Sequence, residues 1–276
     1  MSVGSSSESL ILPDWYKSKD GKPYINAIFK GGKRKVFGFL ERPALPPQIT
    51  PEMWNFKARL VGKSGVGKTS TVAKLTGQPA PRSHCETPGI VSSVAYWPIK
   101  LNSNGNVILT RLQFWDAGDN VGKKYDHIYP ACREDIDVTL FLFSYTDRSS
   151  FLDLHKKLSD SEDDLKDTLR VIVGTKFDQI YRSEITSKEL EDFQRQWMVP
   201  LLSVQNVHKT ETDSGRIVTE TCNDLKDVAP SLNRLCEFLL AFRMIKKGLL
   251  KDYAWVRTES RSEDDDADSD IEATYV

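Results

Sequence analysis

The stretch Gly62-Lys63-Ser64-Gly65-Val66-Gly67-Lys68-Thr69 constrains this chain most, because it matches the spacing G-x-x-x-x-G-K-[ST] at every fixed position. Before it, Phe56, Ala58 and Leu60 alternate onto one face of a strand. After it, Ser70 to Leu75 reads as a helix, and Gly77 stands where a helix C-terminus accepts a left-handed residue. A glycine-rich turn holding a chance lysine is the alternative, and the strand and helix on either side weigh against it. In such a loop the glycines let successive backbone N–H groups converge on phosphate oxygens. The new helix points its positive end at the same place. Lys68 adds a point charge for the β- and γ-phosphates, and the Thr69 hydroxyl is a ligand for Mg²⁺.

The 276 residues leave room for one sizeable α/β domain with extensions. We read an N-terminal extension over 1–50, a domain over 51–257 and a disordered acidic tail over 258–276. The tail carries eight acids and one base. The extension holds Trp15, Tyr16, Phe29, Phe37 and Phe39, too many aromatics for a linker, so it is expected to pack on the domain or on a partner. Its basic knot, Lys30, Lys33, Arg34 and Lys35, reads as a solvated turn in preference to a lipid or acid contact. The formal charge of -1 gives no pull toward nucleic acid. Cys85, Cys132, Cys222 and Cys236 show no C-x-x-C spacing, which argues against a disulfide framework or zinc site and suits a reducing compartment. Ser2 stands where N-myristoylation needs glycine, and the C-terminus has no cysteine to prenylate, so no direct lipid anchor is expected.

Along the domain, Gln78 to Gly89 is a polar loop containing Glu86-Thr87-Pro88-Gly89. Ile90–Leu101 and Val107–Trp115 read as strands joined across Asn104-Gly105. The second strand ends at Asp116, where a Mg²⁺-supporting carboxylate belongs, although a turn-capping aspartate would look the same. Lys123 to Arg133 reads as a helix. Asp137 to Phe143 and Arg170 to Gly174 are apolar runs suited to buried parallel strands, and Asp147 opens a helix between them. Thr186 to Glu189 is a capping box for a helix reaching Trp197. Pro200 to Val207 reads as the last strand, His208 to Thr221 as a loop, and Pro230 to Lys247 as a closing amphipathic helix. This alternation indicates an α/β, doubly wound, mostly parallel sheet with its ligand at the strands' carboxyl ends.

Thr175-Lys176-Phe177-Asp178 then resembles the Asn-Lys-x-Asp element of the Ras-superfamily small GTPases, whose aspartate accepts hydrogen bonds from guanine. The resemblance covers roughly Lys57 to Lys247 and implies a Ras-like P-loop domain using GTP/GDP and Mg²⁺. It carries nucleotide contacts onto Ser64, Gly65, Val66, Gly67, Lys68, Thr69, Ser70, Glu86, Thr87, Lys176, Asp178 and Asn206. Metal contacts fall on Thr69, Thr87 and, through water, Asp116, and catalytic positions on Lys68, Thr87 and Gly118. Ser64 and Asp147-Arg148-Ser149-Ser150-Phe151 are more Rab-like than Ras-like.

Three departures stand out. Thr175 replaces the family's asparagine. Ser203 to Asn206 is a poor match to the base-contacting Ser-Ala-Lys loop, which leaves backbone contacts there. The second switch is one residue short, with Asp119 where a glutamine would orient water, so slow intrinsic hydrolysis is expected. Leu12-Pro13-Asp14-Trp15, Arg34 to Pro43 and Phe114 to Gly118 narrow the likeness to the small GTPases of the ciliogenesis and planar polarity effector (CPLANE) complex. That likeness implies Fuzzy and Inturned as partners. It also implies action at the ciliary base and its cytoskeleton, in intraflagellar transport recruitment, vesicle traffic and exocytosis. The readings left open are a GTP-state switch, a GTPase enzyme needing an activator, and a pseudo-GTPase scaffold.

Overall fold

A computed structural model of the chain describes residues 9–81, 87, 89–117, 135–160, 167–211, 217–221, 224–253 and 255. The leading segment has structure of its own. A 3-10 turn at Trp15–Lys17 is followed by helix α1 (Lys22–Ile28) and a hairpin of β1 (Phe29–Lys30) and β2 (Lys33–Arg34). Gly31 and Gly32 turn that hairpin with φ of 58° and 78°, a backbone that side chains resist. Trp15 packs edge-on against Tyr24 at 5.3 Å, and Tyr16 lies 5.9 Å from Trp97 of the sheet. Ile11, Tyr16, Ile25, Ile28 and Phe29 are buried in the same core as the central strands.

The nucleotide-binding motif follows β3 (Glu52–Gly62) and opens α2 (Lys68–Thr76). Then come β4 (Ile90–Lys100), β5 (Val107–Ala117), β6 (Val138–Ser144), α3 (Arg148–Asp160) and β7 (Leu169–Thr175). A 3-10 stretch, Phe177–Arg182, leads to α4 (Ser187–Trp197) and β8 (Leu201–Ser203). The chain continues through β9 (Val207–Glu211), β10 (Ile217–Thr221) and α5 (Leu225–Lys246). The main sheet has six strands in the order β4-β5-β3-β6-β7-β8. Only the β4–β5 pair is antiparallel, so the sheet is mostly parallel as expected.

Strand β6 shows how the layers form. All its residues are buried, and alternation sends them to opposite faces. Val138, Leu140 and Leu142 enter a core with residues of α2 and α5, whereas Phe141 and Phe143 enter a second core with α3 and α4. Each such side chain contributes roughly 1.5–3 kcal/mol on burial. The capping box on α4 is present, with the Glu189 N–H donating to Thr186 and the Thr186 N–H donating to Glu189.

Several expectations are corrected. His208–Thr221 is not simply a loop: β9 and β10 pair antiparallel, from Val207 opposite Thr221 to Glu211 opposite Ile217. The last strand of the main sheet is only Leu201–Ser203, which releases residues 204–206 as a loop. Helix α5 begins at Leu225 and carries Pro230 in its second turn. The Asp224 carbonyl accepts from Asp227 and Val228 and starts the helix, so the ring removes just one later bond. The basic knot is not wholly solvated, because Arg34 is buried and donates to the Tyr96 carbonyl at 3.4 Å. Burial lowers the Arg34 pKa to about 9. The expected helix Lys123–Arg133 and the acidic tail lie outside the described residues.

The leading segment also borders the outer strand β4. Phe37 bridges to Val94, and Ile11 bridges to Leu101. The Leu12 N–H donates to the Lys100 carbonyl at 3.0 Å, and the Asn102 N–H to the Leu10 carbonyl at 2.9 Å.

Candidate nucleotide-binding site

The loop from Gly62 to Thr69 is shaped by close backbone approach. A Cβ on Gly62 would lie 2.6 Å from the Leu142 carbonyl oxygen, so only glycine lets β3 and β6 sit this near. Gly67, with φ of 102°, caps α2 in a left-handed backbone. Lys68 is buried, and its Nζ donates to the carbonyls of Gly62 at 2.6 Å and Lys63 at 3.2 Å. From Lys63, Nζ donates to Ser149 Oγ at 2.6 Å and sits 3.7 Å from the Asp147 carboxylate, which ties the loop to α3. Ser149 in turn donates to Asp147, and that bond leads in holding the Asp147 pKa below its usual value.

Thr69, Thr87 and Asp116 converge from three segments. The Thr69 hydroxyl donates to Asp116 Oδ2 at 2.6 Å and lies 3.1 Å from the Thr87 hydroxyl. Thr87 donates to the same carboxylate oxygen at 3.4 Å. Asp116 is 1% exposed, and among the described residues its Oδ1 has no hydrogen-bond partner. A buried polar atom left unpaired costs about 1–3 kcal/mol, more when charged, so this oxygen is poised for a cation or its water. Two hydroxyls and one carboxylate are hard oxygen donors that suit Mg²⁺, with substrate phosphates completing its shell. Among the described residues no cluster of three or more His, Cys, Asp or Glu forms a self-sufficient metal cage.

The base end is assembled from β7, the loop after β8 and the end of β6. Thr175 is buried and donates its one proton to either the Val66 or the Phe143 carbonyl, the latter at 3.0 Å. This hydroxyl ties the loop at Lys176–Asp178 to the Gly62–Thr69 loop when it donates to Val66, so threonine in place of asparagine supplies a tether. Lys176 adopts φ of 57°, and Asp178 lies half-buried in the first turn of the following 3-10 stretch, accepting from Gln179 at 3.4 Å. The Val204 N–H donates to the Gly174 carbonyl at 2.8 Å, and the Phe177 N–H to the Val204 carbonyl at 3.2 Å. Asn206 is buried, donates to Thr71 at 2.9 Å and leaves Oδ1 without a partner.

Sequence reasoning missed Tyr145. Its ring lies 5.6 Å from Phe177 and its hydroxyl 2.7 Å from that of Ser203, and burial raises its pKa. A Cβ on Gly174 would fall 2.5 Å from the Tyr145 ring, so these residues fit as a pair. Nothing in the apolar run around Tyr145 distinguishes it from a core aromatic.

Ser64 to Ser70 thus lie in the loop and first turn of α2, with Thr87 and Asp116 against Thr69. Asn206 comes to the same loop, its Nδ2 being 3.5 Å from where a Cβ on Gly67 would stand. Lys176 and Asp178 are on the loop that Thr175 ties to Val66. Glu86, Gly118 and Asp119 lie outside the described residues.

This glycine loop between strand and helix, at the carboxyl edge of a mostly parallel sheet, defines a P-loop α/β nucleotide-binding fold. A family model described as Ras family matches residues 57–221, and the chain belongs to that family. Ciliogenesis and planar polarity effector 2 of Xenopus laevis is 41% identical over 238 residues, covering 86% of this chain and 95% of that protein. The Homo sapiens protein of the same name is 40% identical over 242 residues, covering 88% and 93%. Ras-related protein Rab-1D of Dictyostelium discoideum is 22% identical over 176 residues, covering 63% of this chain and 82% of that protein.

Proposed function

We propose that this Ras-family small GTPase is a GTP-dependent switch whose two nucleotide states differ at Thr87. The observation that carries the reading is the cluster of Thr69, Thr87 and Asp116, with Asp116 Oδ1 buried and, among the described residues, unpartnered. Mg²⁺, when bound with nucleotide, supplies charge neutralisation between the β- and γ-phosphates. The chain's own part is to orient the two hydroxyls of Thr69 and Thr87 and hold the Asp116 carboxylate behind them. A γ-phosphate gives Thr87 a further partner and orders its loop, and loss of that phosphate releases it. Asp178 selects guanine, because its carboxylate matches the paired donors of that base and adenine has no such pair.

We assign slow unaided hydrolysis. In the sequence Asp119 stands at the position where the family has a glutamine, and a carboxylate lacks the amide's donor for orienting water. The similar proteins are named for ciliogenesis and planar polarity, and that supports the reading. We therefore assign the chain to a CPLANE-like assembly, cytoplasmic and at the ciliary base, with Fuzzy and Inturned as partners in transport recruitment and vesicle traffic.

Nucleotide extracted from the purified chain is expected to be guanine-based. Equal retention of adenosine and guanosine triphosphates overturns the assignment. Capture of Fuzzy and Inturned should be stronger with a GTP analogue than with GDP, and equal capture shows a scaffold instead. A single-turnover hydrolysis rate as fast as that of Ras removes the role given to Asp119.

A further inference from the structure

We propose that the turn Gly38–Glu41 is a membrane-docking tip, which inserts Phe39 and Leu40 into the headgroup layer of a bilayer rich in anionic lipid. In residues 30–42, five bases stand against one acid, within a chain of formal charge -1. Arg34 is turned inward, and Lys35 Nζ lies on the Ala27 carbonyl at 2.9 Å near the end of α1. Lys30, Lys33 and Arg42 remain exposed.

The segment is held around one residue, Tyr96. Arg34 donates to the Tyr96 carbonyl, the Phe37 ring packs edge-on against the Tyr96 ring at 5.1 Å, and the Tyr96 hydroxyl donates to the Glu41 carbonyl at 2.8 Å. The turn itself is closed twice. The Glu41 N–H donates to the Gly38 carbonyl at 3.1 Å, and the Gly38 N–H donates to the Glu41 carboxylate at 2.8 Å. The one acid of the segment is thereby folded back onto the turn. From β5, Arg111 donates to the Phe39 carbonyl at 2.9 Å, with its guanidinium 5.1 Å from the Phe39 ring.

A slack loop would fold its apolar residues onto the domain. This one is fixed with Leu40 89% exposed and Phe39 55% exposed, and Val36 nearby is half exposed. Adjacent apolar side chains on a braced tip, in a segment of exposed cations, match the two components of an anionic interface. An apolar groove on a protein would receive Phe39 and Leu40 and leave the excess of cations without a counterpart.

The test uses the full chain with bound nucleotide, sedimented with phosphatidylcholine vesicles with or without about 30% phosphatidylserine. Binding is expected only to the anionic vesicles, and it should weaken as salt is raised. Replacing Phe39→Ser with Leu40→Ser should lower partitioning roughly tenfold with nucleotide content unchanged. Separately, Leu40→Trp should lose emission, relative to the unsubstituted chain, on vesicles of brominated lipid. Overturning results are absence of binding to anionic vesicles, binding that the Phe39/Leu40 variant retains, or Leu40→Trp emission that bromine leaves unchanged. Loss of Fuzzy or Inturned capture by the double variant, without vesicle binding by the parent, would make the tip a protein contact and also overturn the proposal.

Discussion

At the phosphate end, Gly62 to Thr69 are contiguous in the chain, whereas at the base end Tyr145, Thr175 to Asp178 and Val204 to Asn206 arrive from three separate segments. The first end is a local backbone shape, in which Gly62 permits an approach that any side chain would block and Gly67 takes a left-handed backbone. The second is a set of long-range ties. Thr175 reaches the phosphate loop, Tyr145 reaches Ser203, and Asn206 reaches Thr71. The contrast teaches that the phosphate end fails when a backbone is displaced, while the base end fails by losing one tie at a time.

The largest expected effect follows from Gly62→Ala. Its methyl would lie 2.6 Å from the Leu142 carbonyl, forcing β3 and β6 apart, with a loss of about 3 kcal/mol in denaturant unfolding and no retained nucleotide. Tolerance of alanine would mean the two ends do not differ as described. Next, Asp178→Asn should lower the preference for guanosine over adenosine triphosphates by about 10- to 100-fold, as charge-assisted hydrogen bonds are lost. Competition binding measures this, and Mg²⁺ dependence should stay unchanged because the phosphate end is intact.

Thr175→Val keeps the shape and removes the hydroxyl. Whichever of the Val66 and Phe143 carbonyls accepts that proton loses its donor, at about 1–3 kcal/mol. Nucleotide should leave faster while the ratio between bases persists. An unchanged off-rate would show that the two ends are not coupled through this tie.

The smallest effect concerns the helix beyond the base loop. Glu189, paired with Arg148 and capped by Thr186, has its pKa lowered from 4.5 to about 2. Its stabilisation is therefore present above pH 4.5 and fades as pH falls from there toward about 2. Glu189→Gln should flatten the acid limb of the unfolding profile in that window, with neutral-pH nucleotide binding unaltered.

The sequence made this contrast only half legible. Gly62 to Thr69 could be read because the motif is local and each position has a backbone reason. The sheet was readable from the apolar runs of β6 and β7, as was the α4 capping box, since these are also near-neighbour patterns. Tyr145 was hidden because an aromatic in an apolar run signals only burial. The support given by Thr175 depends on Val66, distant in the chain, and no spacing rule reports it. Pro230 masked the true start of α5, because proline more often marks a first turn than a second. The β9–β10 pairing was missed for a related reason: Val207, Ile217 and Val218 stand among polar residues and give no hydrophobic alternation.

Sheets with a bare outer strand invite a neighbouring chain to continue them. Here two pieces of the leading segment pair along this border, Phe37 at the middle of β4 and Ile11 just past its end. At the far margin stands β8, only three residues long. One border is fastened and the other is too brief to template growth, so the sheet is terminated from within its own polypeptide.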